Sequence, residues 1–195
     1  QHGTRANNII QSMLAHSRGE PGQFSLTDIN ALVREHVKLA YHGMRAQMSG
    51  FNVQIETHFD PAIPNVEIVP EEIGRVVINL INNAFFATAA KQQQRKDYEP
   101  VIRVQTRNHL DDVEIRVRDN GIGIPEPDQE KVFTPFFTTK PSGQGTGLGL
   151  SLSYDVVVKE HGGTLDFESV AGEFAEFVVT LPKQRRPEVM STLDA

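Results

Sequence analysis

Residues 113–124 read Val113-Glu114-Ile115-Arg116-Val117-Arg118-Asp119-Asn120-Gly121-Ile122-Gly123-Ile124. The first six alternate apolar and charged side chains, the period-two pattern of a strand with one buried face. The strand runs into a loop with two glycines, which let backbone approach a ligand closely and take dihedrals closed to other residues. Asp119 stands at the junction. Taken alone, Asp-Asn-Gly is ordinary turn chemistry. The functional alternative is a carboxylate that accepts a hydrogen bond from an exocyclic amine such as adenine's, with glycine backbone flat against the base.

Downstream, Gly143-Gln144-Gly145-Thr146-Gly147-Leu148-Gly149-Leu150 leads directly into a helix expected over 149–160, with Leu150, Tyr154, Val157 and Val158 inward. The free N–H groups and dipole of such a helix start favour phosphate. The segment is not a Walker loop, because no Gly-Lys-Ser/Thr follows, and not a dinucleotide fingerprint, because no strand closely precedes it. Between the two loops lies Phe133-Thr134-Pro135-Phe136-Phe137-Thr138-Thr139-Lys140. Its phenylalanines read as anchors that pack a mobile segment on the core. Lys140 is either a solvated lysine or a cation that neutralises a terminal phosphate. Residues 120–147 form a long stretch without periodicity, which in a compact domain is functional or disordered.

Upstream, Pro70 starts a helix expected over 71–93, apolar through Val76, Val77, Leu80, Ile81 and Ala84. Asn79 and Asn83 are four apart and share one face. Buried amides cost free energy unless paired. They either cap neighbouring backbone or offer oxygens to a hard cation such as Mg²⁺, which takes few protein ligands and keeps water and phosphate. Asn82 points elsewhere, and the tract Lys91 to Glu99 reads as a solvated helix end and loop. A second helix, capped by Thr27 or Asp28, carries Ile29, Leu32, Val33, His36, Val37, Ala40 and Tyr41 and ends near Ser49-Gly50. Strands are expected at 24–26, 52–59, 66–68, 101–108, 164–168 and 173–181. The mixed order, with adjacent strands antiparallel, predicts an α+β two-layer sandwich whose sheet is covered by helices on one face.

The chain has 195 residues, a formal net charge of −6 and no cysteine. The acidic balance argues against a nucleic-acid partner. Disulfides and thiolate metal sites are excluded, which suits a reducing compartment. No apolar run approaches the roughly 20 residues that span a bilayer, so no membrane contact by this chain is expected. The seven histidines show no metal-ligand spacing. The expected organisation is a truncated helix at 1–18 with an apolar stripe of Ile9, Ile10, Met13 and Leu14, a linker at 19–23, one domain at 24–183 and a flexible tail at 184–195.

The order of motifs resembles the catalytic ATP-binding domain of sensor histidine kinases. Asn79-Leu80-Ile81-Asn82-Asn83-Ala84 is similar to their asparagine box, Asp119 to Ile124 to their first glycine box, Phe133 to Lys140 to their phenylalanine box and Gly143 to Leu150 to their second glycine box. The resemblance covers roughly residues 24–182. It implies the GHKL superfamily and its Bergerat α/β sandwich with an ATP lid loop. It also implies ATP and Mg²⁺ as cofactors, and transfer of the γ-phosphate to a histidine outside this chain for relay to a response-regulator aspartate. Carried over by position, Asn83 holds Mg²⁺ with Asn79 assisting, Asp119 binds the adenine amine, and Gly121, Gly123 and Ile124 line the base pocket. Gly145, Thr146, Gly147, Leu148 and Gly149 belong to the lid and the phosphate-binding helix start, and Lys140 approaches the terminal phosphate.

Hydrolytic relatives (gyrase B, MutL and the heat-shock chaperone ATPases) carry a water-activating glutamate at the position of Asn79. An amide does not take up a proton near neutral pH, so the resemblance implies a chain that holds ATP for transfer. A GHKL-type ATPase with nucleotide-driven lid closure and a nucleotide-binding scaffold are the alternatives. Two positions depart from the family pattern. Phe86 stands where a lysine, arginine or histidine is common, which makes Lys140 more important. Phe174-Ala175 stands where a small Gly-Ser/Thr pair is usual, near the sheet and away from the chemistry. The family's phosphoacceptor histidine precedes an acidic residue in a dimerisation hairpin, whereas His2 precedes Gly3 and His16 precedes Ser17. Residues 1–18 are therefore expected to be the distal end of that hairpin, in the cytoplasmic part of a homodimeric parent protein that is either soluble or membrane-anchored.

Overall fold

The computed structural model describes residues 22–48, 50–141 and 145–184. The expected hairpin helix, most of the linker and of the tail, and Gly143 lie outside them. Two helices and five strands form the body. Helix α1 (Ile29–Gln47) is capped by Asp28, whose carboxylate accepts from the Ala31 N–H at 3.0 Å. It buries Ile29, Leu32, Val33, Val37, Ala40 and Met44, a 3.6-residue stripe. Helix α2 (Pro70–Gln94) opens with Pro70 and carries Glu71 and Glu72 in its first turn, where the helix dipole favours negative charge.

Five strands make one sheet in the order β2-β4-β5-β7-β6: β2 (Gln54–His58), β4 (Val101–Asn108), β5 (Asp112–Asp119), β6 (Thr164–Val170) and β7 (Phe174–Pro182). Only the β2–β4 pairing is parallel. In β5, Val113, Ile115, Val117 and Asp119 are buried while Glu114, Arg116 and Arg118 are half-exposed. The period-two reading therefore holds through the residue that ends the strand. A separate antiparallel pair, β1 (Ser25–Thr27) with β3 (Val66–Ile68), lies at the start of the domain. The expected α+β sandwich, mostly antiparallel with helices against it, is the one observed.

The core lies between the sheet and α2, with α1 packed on α2. Val77, Ile81, Ile102, Val104, Ile115 and Val179 are fully buried. Truncating one of the larger of these to alanine costs about 2–5 kcal/mol. By length and composition α2 could cross a membrane, but half of its most apolar window is buried inside the protein. Its hydropathy is that of a core helix.

Two local readings change. Helix α4 (Gly149–Tyr154) continues as a π-helical stretch (Asp155–Glu160). The longer repeat, seen in the His161 N–H reaching the Val156 carbonyl at 3.1 Å, widens the inward face. Val156 is buried beside Val157, while Leu150, Tyr154 and Val158 pack half-buried against the core as expected. A short helix, α3 (Glu126–Gln129), also breaks the expected featureless stretch.

Candidate functional site

A cavity of about 540 Å³ opens between α2, the loop after β5 and the start of α4. Its base end is built by the strand-to-loop junction. Asp119 is 4% exposed at the end of β5, and its Oδ1 accepts from the Gly121 N–H at 2.8 Å. Burial pushes this carboxyl up to about 7. The Gly121 hydrogen bond, the Lys91 and Arg118 charges and a backbone hydrogen bond from Ala175 pull in the opposite direction.

Gly123 has φ +62, and a Cβ there would lie 2.2 Å from the Val170 carbonyl oxygen. No other residue fits where this loop presses on the β6–β7 turn. Ile124 sits beside it, its N–H donating to Ser169 Oγ at 2.8 Å. Ile122, Gly123 and Ile124 line the cavity. Gly121 does not. It packs behind Asp119 against Ala87, so its part is to hold the carboxylate rather than to form a wall.

At the opposite end α2 presents Asn79 and Asn83 to the same space, while Asn82 is exposed outside it. The Asn79 amide nitrogen donates to Ser153 Oγ on α4 at 3.0 Å. Its Oδ1 lies against Gly149, where a Cβ would approach within 2.2 Å. Asn83 Oδ1 accepts from Lys140 Nζ at 2.8 Å, and the same ammonium lies 4.9 Å from the centre of the Phe86 ring. Burial lowers the Lys140 pKa from its ordinary value. Lys140 is thus not a solvated lysine.

The aromatic stretch and the second glycine loop meet backbone to backbone. Gly147, at φ +70, would drive a Cβ to 2.3 Å from the Phe136 carbonyl carbon, and Phe136 itself sits at φ 67. Such a left-handed phenylalanine is strained, and the Gly147 contact accompanies it. Phe133 packs edge-on to Phe167 and against Tyr154, which anchors the segment to the core. Gly145, Thr146, Gly147 and Gly149 line the cavity, whereas Leu148 is buried behind it, its N–H reaching Thr146 Oγ1 at 3.3 Å.

Several contributors were not picked out in the sequence. Ala175 and Phe177 of β7 line the base end, and the β6–β7 turn donates the Gly172 N–H to the Ile122 carbonyl at 2.7 Å. The Phe174-Ala175 departure therefore borders the site, contrary to the expectation that it lay away from the chemistry. Lys91, expected in a solvated helix end, is 9% exposed. Its ammonium donates to the Asn120 carbonyl at 2.7 Å and the Glu173 carbonyl at 3.3 Å, and faces the Tyr98 ring at 5.0 Å. Tyr98 in turn donates to Asn120 Oδ1 at 2.5 Å. Only the helical register of Lys91, two turns beyond Ala84 on the apolar face, hinted at its burial.

An amide pair at one end, a buried carboxylate at the other and glycine backbone on two walls form one connected cavity. The sequence profile described as "Histidine kinase-, DNA gyrase B-, and HSP90-like ATPase" matches residues 68–185, more than half of the chain. This chain belongs to that family. The signal transduction histidine-protein kinase AtoS of Escherichia coli (strain K12) is 34% identical over 179 residues, 90% of this chain and 27% of AtoS. The sensor protein FixL of Bradyrhizobium diazoefficiens is 33% identical over 183 residues, 93% of this chain and 34% of FixL. The chain thus spans about a quarter to a third of the length of these relatives. Among solved structures, the nucleotide-free catalytic domain of histidine kinase ThkA superposes with a TM-score of 0.69 at 32% identity, covering 84% of this chain and 97% of that one. ThkA in complex with response regulator protein TrrA gives 0.70 at 27% identity, covering 93% of this chain and 48% of that one. The fold is that of a histidine-kinase catalytic ATP-binding domain.

Proposed function

We propose that this chain binds Mg·ATP in the cavity between Asp119 and Asn83. It would present the γ-phosphate to a histidine on the dimerisation hairpin of a homodimeric parent kinase, for relay to a response-regulator aspartate. The observation that carries transfer over hydrolysis is Asn79. By the resemblance it stands where the hydrolytic relatives carry a glutamate, and its amide nitrogen is committed to Ser153. Among the described residues lining the cavity, Asp119 is the only carboxylate, and it sits at the base end. Among the described residues at the phosphate end, no carboxylate or imidazole stands ready to take a proton from water.

The donor set suits magnesium. Asn83 Oδ1 faces the cavity and already accepts from a cation, Lys140, and Mg²⁺ prefers oxygen ligands with most positions left to water and phosphate. Asn83 would hold it, with the Asn79 oxygen near by, and the ion would supply charge neutralisation at the phosphates. Asp119 would orient the base through the adenine amine. Gly145 to Gly149 would bring backbone N–H groups to the phosphates, and Lys140 would meet the terminal one. Catalysis on this reading is positioning and neutralisation. Relatives named as sensor kinases and the ThkA–TrrA complex support the two-component setting. The parent's catalytic part would work in the cytoplasm.

The test is radiolabelled Mg·ATP mixed with the chain alone and with the histidine-bearing hairpin of its parent. The expected result is acid-labile label on the hairpin, none on His2 or His16, and phosphate release near background. Steady phosphate release that collapses in Asn83→Ala, with no label transferred, would replace this reading with an ATPase. Failure to bind nucleotide would leave a scaffold.

A further inference from the structure

Lys91 lies outside every motif that points to nucleotide, yet its charge acts on Asp119 at the base-recognition end. It projects from the last turn of α2 and bonds two carbonyls on separate segments, Asn120 of the glycine loop and Glu173 of the β6–β7 turn. These segments flank Asp119, which pairs with Ala175 across the sheet. We propose that Lys91 is the positioning residue for base selectivity, clamping the loop after β5 to the β6–β7 turn and holding Asp119 as a hydrogen-bond acceptor for an adenine amine. The proposal rests on the nucleotide reading above.

The clamp is built on three sides. Tyr98 covers the ammonium and fixes the Asn120 side chain, which also accepts from the Val101 N–H at 2.9 Å and donates to the Glu99 carbonyl at 2.9 Å. Asn120 is therefore held through both main chain and side chain. Gly121, the next residue, donates to Asp119 Oδ1. The charged and titratable groups facing Asp119 are Lys91 from α2, Arg118 from its own strand, and Tyr98 from the loop before β4. Arg95 and Glu173 act on Lys91 in opposite senses. Arg118 is drawn aside over the Phe174 ring at 3.6 Å. Lys91 is thus the cation whose hydrogen bonds reach the loop that carries Asp119.

The chemistry gives a specific readout. An ionised Asp119 accepts from the 6-amino group of adenine and repels the 6-carbonyl of hypoxanthine, whereas a protonated carboxyl donates to that carbonyl. Removing a nearby positive charge raises a carboxyl pKa by about one unit or more. Loss of Lys91 therefore weakens adenine binding most near neutrality, and the loss shrinks as the pH rises and Asp119 ionises.

The experiment is calorimetric titration of the chain with ADP and with inosine diphosphate between pH 6 and 9, in wild type, Lys91→Met, Lys91→Gln and Lys91→Arg. Lys91→Gln serves if the methionine variant does not fold, since it keeps a donor and lacks the charge. Wild type is expected to favour ADP by about tenfold at pH 8. The neutral variants should lose about tenfold in ADP affinity at pH 7 and about twofold at pH 9, with inosine diphosphate gaining rather than losing affinity near pH 7 and Lys91→Arg close to wild type. Equal losses for both nucleotides at every pH, or no loss, would overturn the assignment. Wild type binding neither nucleotide would remove the nucleotide reading itself. Binding with unchanged discrimination in the variants would remove only the role of Lys91.

Discussion

Lys140 Nζ lies 2.8 Å from Asn83 Oδ1, so a cation from the aromatic segment rests on the amide oxygen assigned to magnesium. The same ammonium sits over Phe86, the residue that replaces the family's frequent helix cation. Among the described residues, α2 lends the cavity wall no cation, and Lys140 brings one from the opposite wall. Lys140→Met should then weaken a non-hydrolysable ATP analogue by about tenfold, a charge-assisted contact of about 1.4 kcal/mol, and ADP by less than about twofold. Phe86→Lys in the same background should recover part of the loss. Calorimetry with the two nucleotides reads both effects.

Gly123 and Gly172 both sit at positive φ, +62 and +79, but only Gly123 faces backbone, the Val170 carbonyl oxygen at 2.2 Å from a built Cβ. Gly172 has nothing within 4 Å. Gly172→Ala should cost about 1 kcal/mol for the left-handed backbone. Gly123→Ala should cost about 2–4 kcal/mol, because the β6–β7 turn must also move, and should weaken adenine nucleotides. Urea unfolding of the two variants gives the comparison.

Asp119 is held near 7 in the folded chain against an ordinary value of 3.8. Between these values the folded state keeps a proton that the unfolded chain has released, so this group's contribution to stability falls as pH rises through the window. Asp119→Asn should therefore stabilise the nucleotide-free chain by about 1–3 kcal/mol above pH 7, with little change below pH 4. Adenine nucleotide affinity should drop about tenfold or more. Melting curves at pH 4 and 8, paired with ADP titration, check the opposite signs.

Glu72, in the first turn of α2, is raised to about 7 by burial and by its hydrogen bond and charge repulsion with Glu160 at the end of the π-helical stretch. Its Oε2 is buried without a partner. The sign is the same as for Asp119: the carboxyl costs more stability as pH climbs from 4.5 to about 7, and the cost levels off above that. Glu72→Gln should raise the melting temperature at pH 8 and leave it nearly unchanged at pH 4. Nucleotide affinity, set elsewhere, should not move.

The strands and helices were legible where one face is buried and the other is not. Val113 to Val117 and the stripe from Val76 to Ala84 state their burial in their own spacing. The two amides and Asp119 were legible because polar groups interrupt apolar periods only with a reason. What the spacing could not carry was contact across the chain. Lys91 stands beside Gln92, Gln93 and Gln94 in a polar tract, and its burial depends on Glu173, 82 residues away. Phe174-Ala175 borders the base end because β7 pairs with β5, a register that no local pattern contains. Gly121 was read as a wall because it sits inside a glycine motif, but the backbone turns it behind Asp119. The π-helical stretch added Val156 to the inward face, which the ordinary helical period of the sequence does not show.

The most direct measurement is calorimetric titration of a non-hydrolysable ATP analogue into wild type, Asn83→Ala and Asp119→Asn, each with magnesium and with magnesium chelated. A single site is predicted. Magnesium should strengthen binding by about tenfold or more in wild type and in Asp119→Asn, and by less than about twofold in Asn83→Ala. Binding in Asn83→Ala with an unreduced magnesium effect, or the absence of binding in wild type, would contradict the account.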